Sequence, residues 1–280
     1  MSTRRPPAAP PNRPRRDPRR ASAPARPGAT RAPDAPRHGL ARVLSKAGLC
    51  SRTEAARWIA DGRVTVDGRT INSPEFPIVD GRHVVRVDGQ PLGSARRIHI
   101  MLNKPRGLVT TAQDERGRDT VYRCFDGAGL PWLAPVGRLD KASEGLLLFS
   151  NDPEWAARLT DPETGPDKTY HVQIDVIPDE AQLAALRAGV EDDGEFLRAR
   201  TVRLLRSGEK TAWLEVVLEE GRNRHIRRLL AAFQIDVLRL VRVGIGDLAL
   251  GTLGKGAWRE LQPHELELLH PTAGSAVVAS

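Results

Sequence analysis

A single carboxylate stands between two cations in Gly137-Arg138-Leu139-Asp140-Lys141, ahead of Ala142-Ser143-Glu144-Gly145-Leu146-Leu147-Leu148. An aspartate is ionised at neutral pH unless it is deeply buried. As a carboxylate it can attack an electrophilic carbon or hold a cation. Taken alone the position is ordinary, because an Asp near a strand commonly serves a turn or a helix cap. Three other segments also set polar groups at a strand end or helix start. Asn103-Lys104-Pro105-Arg106-Gly107 closes one strand, and Lys168-Thr169-Tyr170-His171-Val172 leads into another. Glu220-Gly221-Arg222-Asn223-Arg224-His225 precedes a helix with an apolar face of Ile226, Leu229, Leu230 and Phe233. Neither metal-ligand spacing nor a nucleotide loop accompanies them. Cys50 and Cys124 lie far apart, and the seven histidines form no His-x-x-x-His pair. No metal and no cofactor is expected, nor a disulfide framework, and the cysteine usage suits a reducing cytoplasm.

The elements that must position these groups follow from periodicity. Leu40, Val43, Leu44 and Ala47 have helical spacing, with Gly48 as a stop. Ser51 reads as an N-cap and Glu54 as the partner that completes a capping box, with Ala55, Trp58 and Ile59 as the apolar face. Val64 to Val66 and His83 to Val87 read as strands running into Asp67-Gly68 and Asp88-Gly89 turns. After a short Gly-Ser-Arg stretch, Ile98, Ile100 and Leu102 alternate as a strand. Further strands are expected near Val136 and at 146–149, 170–176, 196–205, 212–218 and 237–243. Helices are expected at 153–159, 179–188, 225–233 and 264–269. Many strands with a few interspersed helices indicate an α+β domain on a mixed sheet. The expected division is a basic tail over 1–37, a small module over 38–93, a larger domain over 97–270 and a flexible C-terminal tail over 271–280.

The net charge of +8 sits in one place. Residues 1–37 hold ten arginines against Asp17 and Asp34, a surplus equal to that of the whole chain. The remainder is formally neutral, so the high pI says little about the folded part. Ten prolines in the same tail, among Ala, Ser and Arg, leave little to bury, and disorder is expected. A flexible arm that finds phosphate backbones fits that composition better than a transit peptide, whose amphipathic helix the prolines would break. No apolar run approaches the ~20 residues of a membrane span. The N-terminus has no apolar region of the signal-peptide kind, and a cytoplasmic protein without a membrane partner is expected.

Leu44-Ser45-Lys46-Ala47-Gly48, Ser51-Arg52, Ala55, Ile59, Gly62, Val64, Val66, Asp67 and Gly68 together resemble the alpha-L RNA-binding module first described in a small-subunit ribosomal protein. That resemblance implies basic side chains on two helices turned towards structured RNA. Arg42, Lys46, Arg52, Arg57, Arg63 and Arg69 here face only Glu54, Asp61 and Asp67. Solvated charge on short helices is the ordinary alternative.

In order and spacing, the four later segments resemble the bacterial ribosomal-RNA pseudouridine synthases that carry an N-terminal alpha-L module. The resemblance spans roughly residues 38–270. Its most specific parts are Gly137 to Asp140 continuing into Gly145-Leu146-Leu147-Leu148-Phe149-Ser150-Asn151-Asp152, and Glu220 to Arg224 followed by Ile226-Arg227-Arg228-Leu229. His225 departs from it, standing where Gln or Glu is expected. The resemblance implies isomerisation of uridine to pseudouridine in ribosomal RNA, without metal, redox step or energy source. It assigns the nucleophile to Asp140, with attack on C1′, attack on C6 and a glycal path all open. It assigns an ion partner to Arg227, and stacking on a flipped-out uracil with help in C5 proton removal to Tyr170. Arg138 is implied to fill the gap left by the extruded base. Phosphate contacts are expected of Lys104, Arg106, Arg222 and Arg224, alongside the module's Arg42, Lys46 and Arg52.

Two other readings remain. A protein that only binds RNA would need the module alone, and it leaves the pattern over 97–270 unexplained. A sugar-cleaving enzyme could pair Asp140 with Glu144, yet hydrolysis wants two carboxylates at a set separation of roughly 5–9.5 Å. The expected partner is ribosomal RNA or a pre-ribosomal particle, bound by a monomer. Large-subunit RNA is favoured by the wording of the 220–224 segment; no motif names the uridine.

Overall fold

The computed structural model describes residues 37–79, 81–93, 96–112 and 114–269. The basic tail expected at 1–37 lies outside them except for Arg37, and the tail expected at 271–280 lies wholly outside. The first part of the chain forms β1 (Arg37–Gly39), α1 (Leu40–Lys46), α2 (Arg52–Ala60), β2 (Val64–Val66), β3 (Arg69–Thr70), β4 (Pro77–Val79), β5 (Val85–Val87) and β6 (Gln90–Pro91). Leu40, Leu44, Ala55, Ile59, Val64 and Val66 close one small core between the two helices and the strands. The strands pair antiparallel in the order β3-β2-β5-β6, and β1 pairs with β4.

Local chemistry sets these boundaries. Asp67-Gly68 and Asp88-Gly89 all have positive φ, between 49° and 79°, as tight hairpin turns require. The strand expected from His83 begins only at Val85. The reason is the Asp67 carboxylate, which takes His83 Nδ1 at 2.9 Å and the Val84 N–H at 2.8 Å before pairing starts. Ser51 caps α2, its Oγ accepting from the Glu54 N–H at 3.0 Å. The expected capping box is only half formed. Glu54 turns its carboxylate one helical turn onward, to Trp58 Nε1 at 2.9 Å, instead of back to Ser51.

The second part forms β7 (His99–Lys104), β8 (Ala134–Val136), β9 (Glu144–Ser150), α3 (Pro153–Thr160), β10 (Lys168–Ile174), α4 (Glu180–Ala188), β11 (Val190–Asp192) and β12 (Glu195–Leu197). Then come β13 (Thr201–Ser207), β14 (Ala212–Leu218), α5 (His225–Ala232), β15 (Val237–Ile245), β16 (Leu248–Ala249), β17 (Trp258–Glu260) and α6 (Pro263–Glu267). The main sheet runs β13-β14-β10-β15-β9-β7-β17, with β8 on β9 and β16 on β15. Its pairings are antiparallel except β15 with β9, which is parallel. This is the expected α+β architecture on a mixed sheet. The strand expected over 196–205 is two strands. Asp193 and Gly194, both at positive φ, fold β11 onto β12 as a separate hairpin, and β13 starts afresh.

Every residue of β9 is buried. Its apolar run is continuous because both faces are covered. Leu147 and Phe149 point into a core with Leu183 and Leu186 of α4 and Ile226, Leu229 and Leu230 of α5. Leu146 and Leu148 point into another with Met101, and Trp155 and Leu159 of α3. At the junction between the two parts, Lys46 Nζ meets Glu154 at 2.7 Å. A Cβ at Gly48 would lie 2.9 Å from the carbonyl oxygen of Asn151. Asn151 fixes the linker, accepting the Ile98 N–H and donating to the Arg96 carbonyl, both at 2.8 Å. Among the described residues no helix is long and apolar enough to cross a membrane.

Candidate active site

A cavity of about 420 Å³ opens where the 136–143 loop, the start of β10, the middle of β15 and the 220–226 segment converge. Arg138, Asp140, Tyr170, Arg222 and Arg224 line it, so segments far apart in the chain meet there. Lys104, Arg106 and Arg227 do not line it.

The 139–143 loop has every carbonyl engaged. Leu139 O accepts from Thr110 Oγ1 at 2.7 Å, and Lys141 O from the Gly107 N–H at 2.7 Å. Asp140 O accepts from Lys104 Nζ at 3.1 Å and from the Ser143 N–H at 3.0 Å. Ser143 O takes Lys104 Nζ at 2.8 Å, and Ala142 O takes Arg227 Nη2 at 3.4 Å. Leu139 is buried beneath the loop, whereas Asp140 and Arg138 are exposed. The Asp140 carboxylate makes no hydrogen bond or ion pair with any described residue. The loop backbone is therefore fixed while its one acid is left free, the arrangement a nucleophile needs.

Two expectations are corrected here. Lys104 is not a phosphate contact. It is wholly buried, with Nζ donating to the carbonyls of Pro105, Asp140 and Ser143. Burial pushes its ammonium down from 10.5 to about 8, a shift the Asp140 charge opposes. Nor does Arg227 form the expected ion pair. Asp140 is not the buried carboxylate that would demand one, and Arg227 instead reaches Ala142 O and Val237 O, the latter at 3.3 Å. Its Nε is buried without a partner among the described residues. Burial first, then the Arg224 charge, lowers its pKa, while the Asp140 carboxylate raises it. The two groups feel one another without touching. The buried acid of the segment is Glu144, 2% exposed. It takes Arg239 at 2.7 and 3.0 Å and Lys255 at 2.7 Å, and the Arg239 bonds in particular hold its carboxyl down at about 2.

Tyr170 is 8% exposed, and its hydroxyl has no partner among the described residues. Its strand neighbours are Val216 on one side and Arg242 on the other. Strand alternation puts Lys168 on the same face as Tyr170, and both line the cavity. Arg242 lines it too. The sequence named Lys168 only as the start of the third segment, without a role, and did not single out Arg242; the one available signal was the two-residue spacing of Lys168 from Tyr170. Gly145 is dictated by the same strand. A Cβ there would lie 2.2 Å from Arg242 O at a φ of +100°, so the parallel register of β9 and β15 needs glycine.

Of the expected RNA contacts, Arg106 and Arg224 are exposed, and Arg222 is paired with Glu220 at 2.8 Å. Arg224 occupies the left-handed region, φ 50°, and directs the chain into α5. His225, the unusual residue, is buried. Its Nε2 donates to the Arg198 carbonyl at 3.0 Å, since a carbonyl only accepts, and burial lowers its pKa. On the first module Arg42 and Arg52 are exposed, but Lys46 is spent on Glu154. Arg63 is held by Asp88 and lies 4.8 Å over the Trp58 ring.

Residues 98–232 match the family model for RNA pseudouridylate synthase, and residues 39–84 match that for the S4 domain, which is the alpha-L module. An RNA pseudouridine synthase of Rickettsia felis is 36% identical over 233 residues, covering 81% of this chain and 98% of the relative. The ribosomal large subunit pseudouridine synthase B of Bacillus subtilis is 34% identical over 237 residues, covering 84% of this chain and 94% of the relative. A crystal structure of a pseudouridylate synthase superposes with a TM-score of 0.56 at 28% identity, covering 83% of this chain and all of that one. The chain belongs to the RNA pseudouridine synthase family, with an S4 domain ahead of its catalytic domain.

Proposed function

We propose that this protein isomerises a specific uridine of large-subunit ribosomal RNA, with Asp140 as the nucleophile on a flipped-out base. The observation that carries the reading is the free Asp140 carboxylate on a loop whose carbonyls from 139 to 143 are all engaged, at the edge of a cavity lined by Tyr170. The cavity's apolar lining of Leu218, Ile226 and Leu240 suits a pyrimidine ring. Tyr170 stacks on it and assists loss of the C5 proton. Arg138, exposed at the rim and unpaired among the described residues, occupies the place of the base in the RNA stack. Lys104 and Arg227 hold the nucleophile's loop. Arg106, Arg222 and Arg224 meet phosphates near the target, and Arg42 and Arg52 of the S4 domain grip a neighbouring stem. The choice of the large subunit is supported by the Bacillus relative and by the 220–224 segment. The domain limits we assign are 38–93 and 97–270.

The test is tritium release from ribosomal RNA labelled at uracil C5, with the wild-type protein and the Asp140→Asn variant. Release by the wild type, and a variant that binds RNA but releases none, is expected. Equal release by both would refute the role of Asp140. No release from any precursor rRNA or ribosomal particle would refute the substrate class.

A further inference from the structure

Two cations of the cavity have no task in that scheme. Arg242 is 6% exposed; its Nε donates to Leu146 O at 2.7 Å, and its buried Nη2 has no partner among the described residues. The Lys168 ammonium makes no hydrogen bond or ion pair among the described residues. Burial, and next the Arg242 charge, push its pKa down. Asp140, which lines the same cavity, makes no ion pair with either cation, and the other nearby carboxylates have partners of their own, although the Asp167 charge does act on Lys168. Asp167 holds Arg200 at 2.6 Å, Glu220 holds Arg222, and Asp161 Oδ1 accepts the Glu163 and Thr164 N–H groups at 2.8 and 2.9 Å. An unpaired buried cation such as Arg242 is costly, and the half-buried ammonium of Lys168 beside it adds to the cost. Such a pair is relieved by negative charge that arrives with, or develops on, the ligand.

We propose that Lys168 and Arg242 are the electrostatic end of the base subsite, stabilising the negative charge that uracil acquires when its bond to C1′ breaks. The inference rests on the uridine-isomerase reading. In direct displacement, an Asp140 oxygen forms a bond to C1′ while the N1–C1′ electron pair departs with the uracil and spreads onto O2 and O4. After the ring turns, C5 donates a pair to C1′ and the carboxylate leaves. C5 then loses its proton and N1 gains one, so the sum is an isomerisation. Attack on C6 likewise puts charge on O4. The position argues for the base over a phosphate. Arg138 and Asp140 are exposed at the rim, the side open to an approaching RNA, whereas Arg242 is buried beside Tyr170. Preorganised charges in a site closed to water act most strongly on charge that develops during reaction.

The experiment uses full-length protein carrying Lys168→Met, Lys168→Gln or Lys168→Arg, with melting curves to show that each folds. For Lys168→Met and Lys168→Gln the single-turnover rate should fall on the order of 10²-fold, with RNA Kd changed less than about 2-fold. Lys168→Arg should keep most of the rate. A target 5-fluorouridine makes the departing uracil a weaker base. Followed as loss of 5-fluorouridine from the digested RNA, its conversion should show a defect several-fold smaller. An equal defect on both substrates overturns the proposal. So does weakened binding with the salt slope reduced by about one, the mark of a phosphate contact. Wild type active with all variants equally active refutes this inference alone; an inactive wild type refutes the function beneath it.

Discussion

Replacing Lys104 with Met separates a loop clamp from an RNA contact. The ammonium's fall from 10.5 to about 8, the net of burial and the opposing charges around it, corresponds to about 3 kcal/mol against the charged form. Its three carbonyl bonds each return about 1.5–3 kcal/mol, as bonds to a charged donor do. Lys104→Met removes all three bonds and leaves the carbonyls they satisfied without that donor, so it should lose at least about 1 kcal/mol at pH 7. The sign of the pH dependence follows from the same shift. Below pH 8 the lysine is charged in both folded and unfolded chains, and the burial penalty is present in full. Between about 8 and 10.5 the folded protein gives up the proton while the unfolded chain keeps it, so folding is favoured as pH rises. The stability gap between wild type and Lys104→Met should therefore widen by about 2 kcal/mol from pH 8 to pH 9.5. Urea unfolding followed by tryptophan fluorescence at several pH values reads this directly. In parallel, the single-turnover rate should fall while the dependence of RNA affinity on salt stays as in the wild type. A pH-independent gap would refute the buried charge. A salt slope reduced by about one in a folded, equally stable variant would restore Lys104 as a phosphate contact.

Two more outcomes follow from the same strand pair. Glu144 is held at about 2 against an ordinary 4.5, so its stabilisation is complete above pH 4.5 and lost as pH falls towards 2. With its partners Arg239 and Lys255 39% and 58% exposed, screening reduces the contribution to about 2 kcal/mol, and Glu144→Gln should remove that much of the acid sensitivity in thermal melts. Acid melts that superpose for the two proteins would refute it. Gly145→Ala should be severely destabilising, by more than about 4 kcal/mol, because its Cβ meets backbone at 2.2 Å. A melting temperature within about 2 °C of wild type would show that the β9–β15 register is wrong.

Much of the fold was legible because periodicity and turn chemistry act locally. The Leu40–Leu44 spacing, the Ser51 cap and the Asp-Gly turns each depend on neighbours a few residues away. The strand over Ala212–Leu218 stands where alternation put it. Misplaced boundaries at 83 and 196–205 came from contacts that no window contains, such as Asp67 reaching across to His83 and Val84. The candidate site divides in the same manner. The order of the four segments led to the expectation that Asp140, Tyr170 and several arginines share a site, and Arg138, Asp140, Tyr170, Arg222 and Arg224 do line one cavity. Which arginine or lysine faces the cavity could not, because an exposed phosphate ligand and a buried loop clamp are written with the same letter.

The sequence by itself determined the family-like order of motifs, the α+β class and the concentration of positive charge in the first 37 residues. Those are properties of composition and spacing along one dimension. Only the tertiary structure decided that Lys104 and Arg227 serve the loop, that Glu144 and not Asp140 is the buried acid, and that Lys168 and Arg242 line one cavity without an ion pair to any described residue. Charge is an attribute of a residue, but its partner and its exposure to water are set by strands that meet from positions about a hundred residues apart, as Gly145 and Arg242 do.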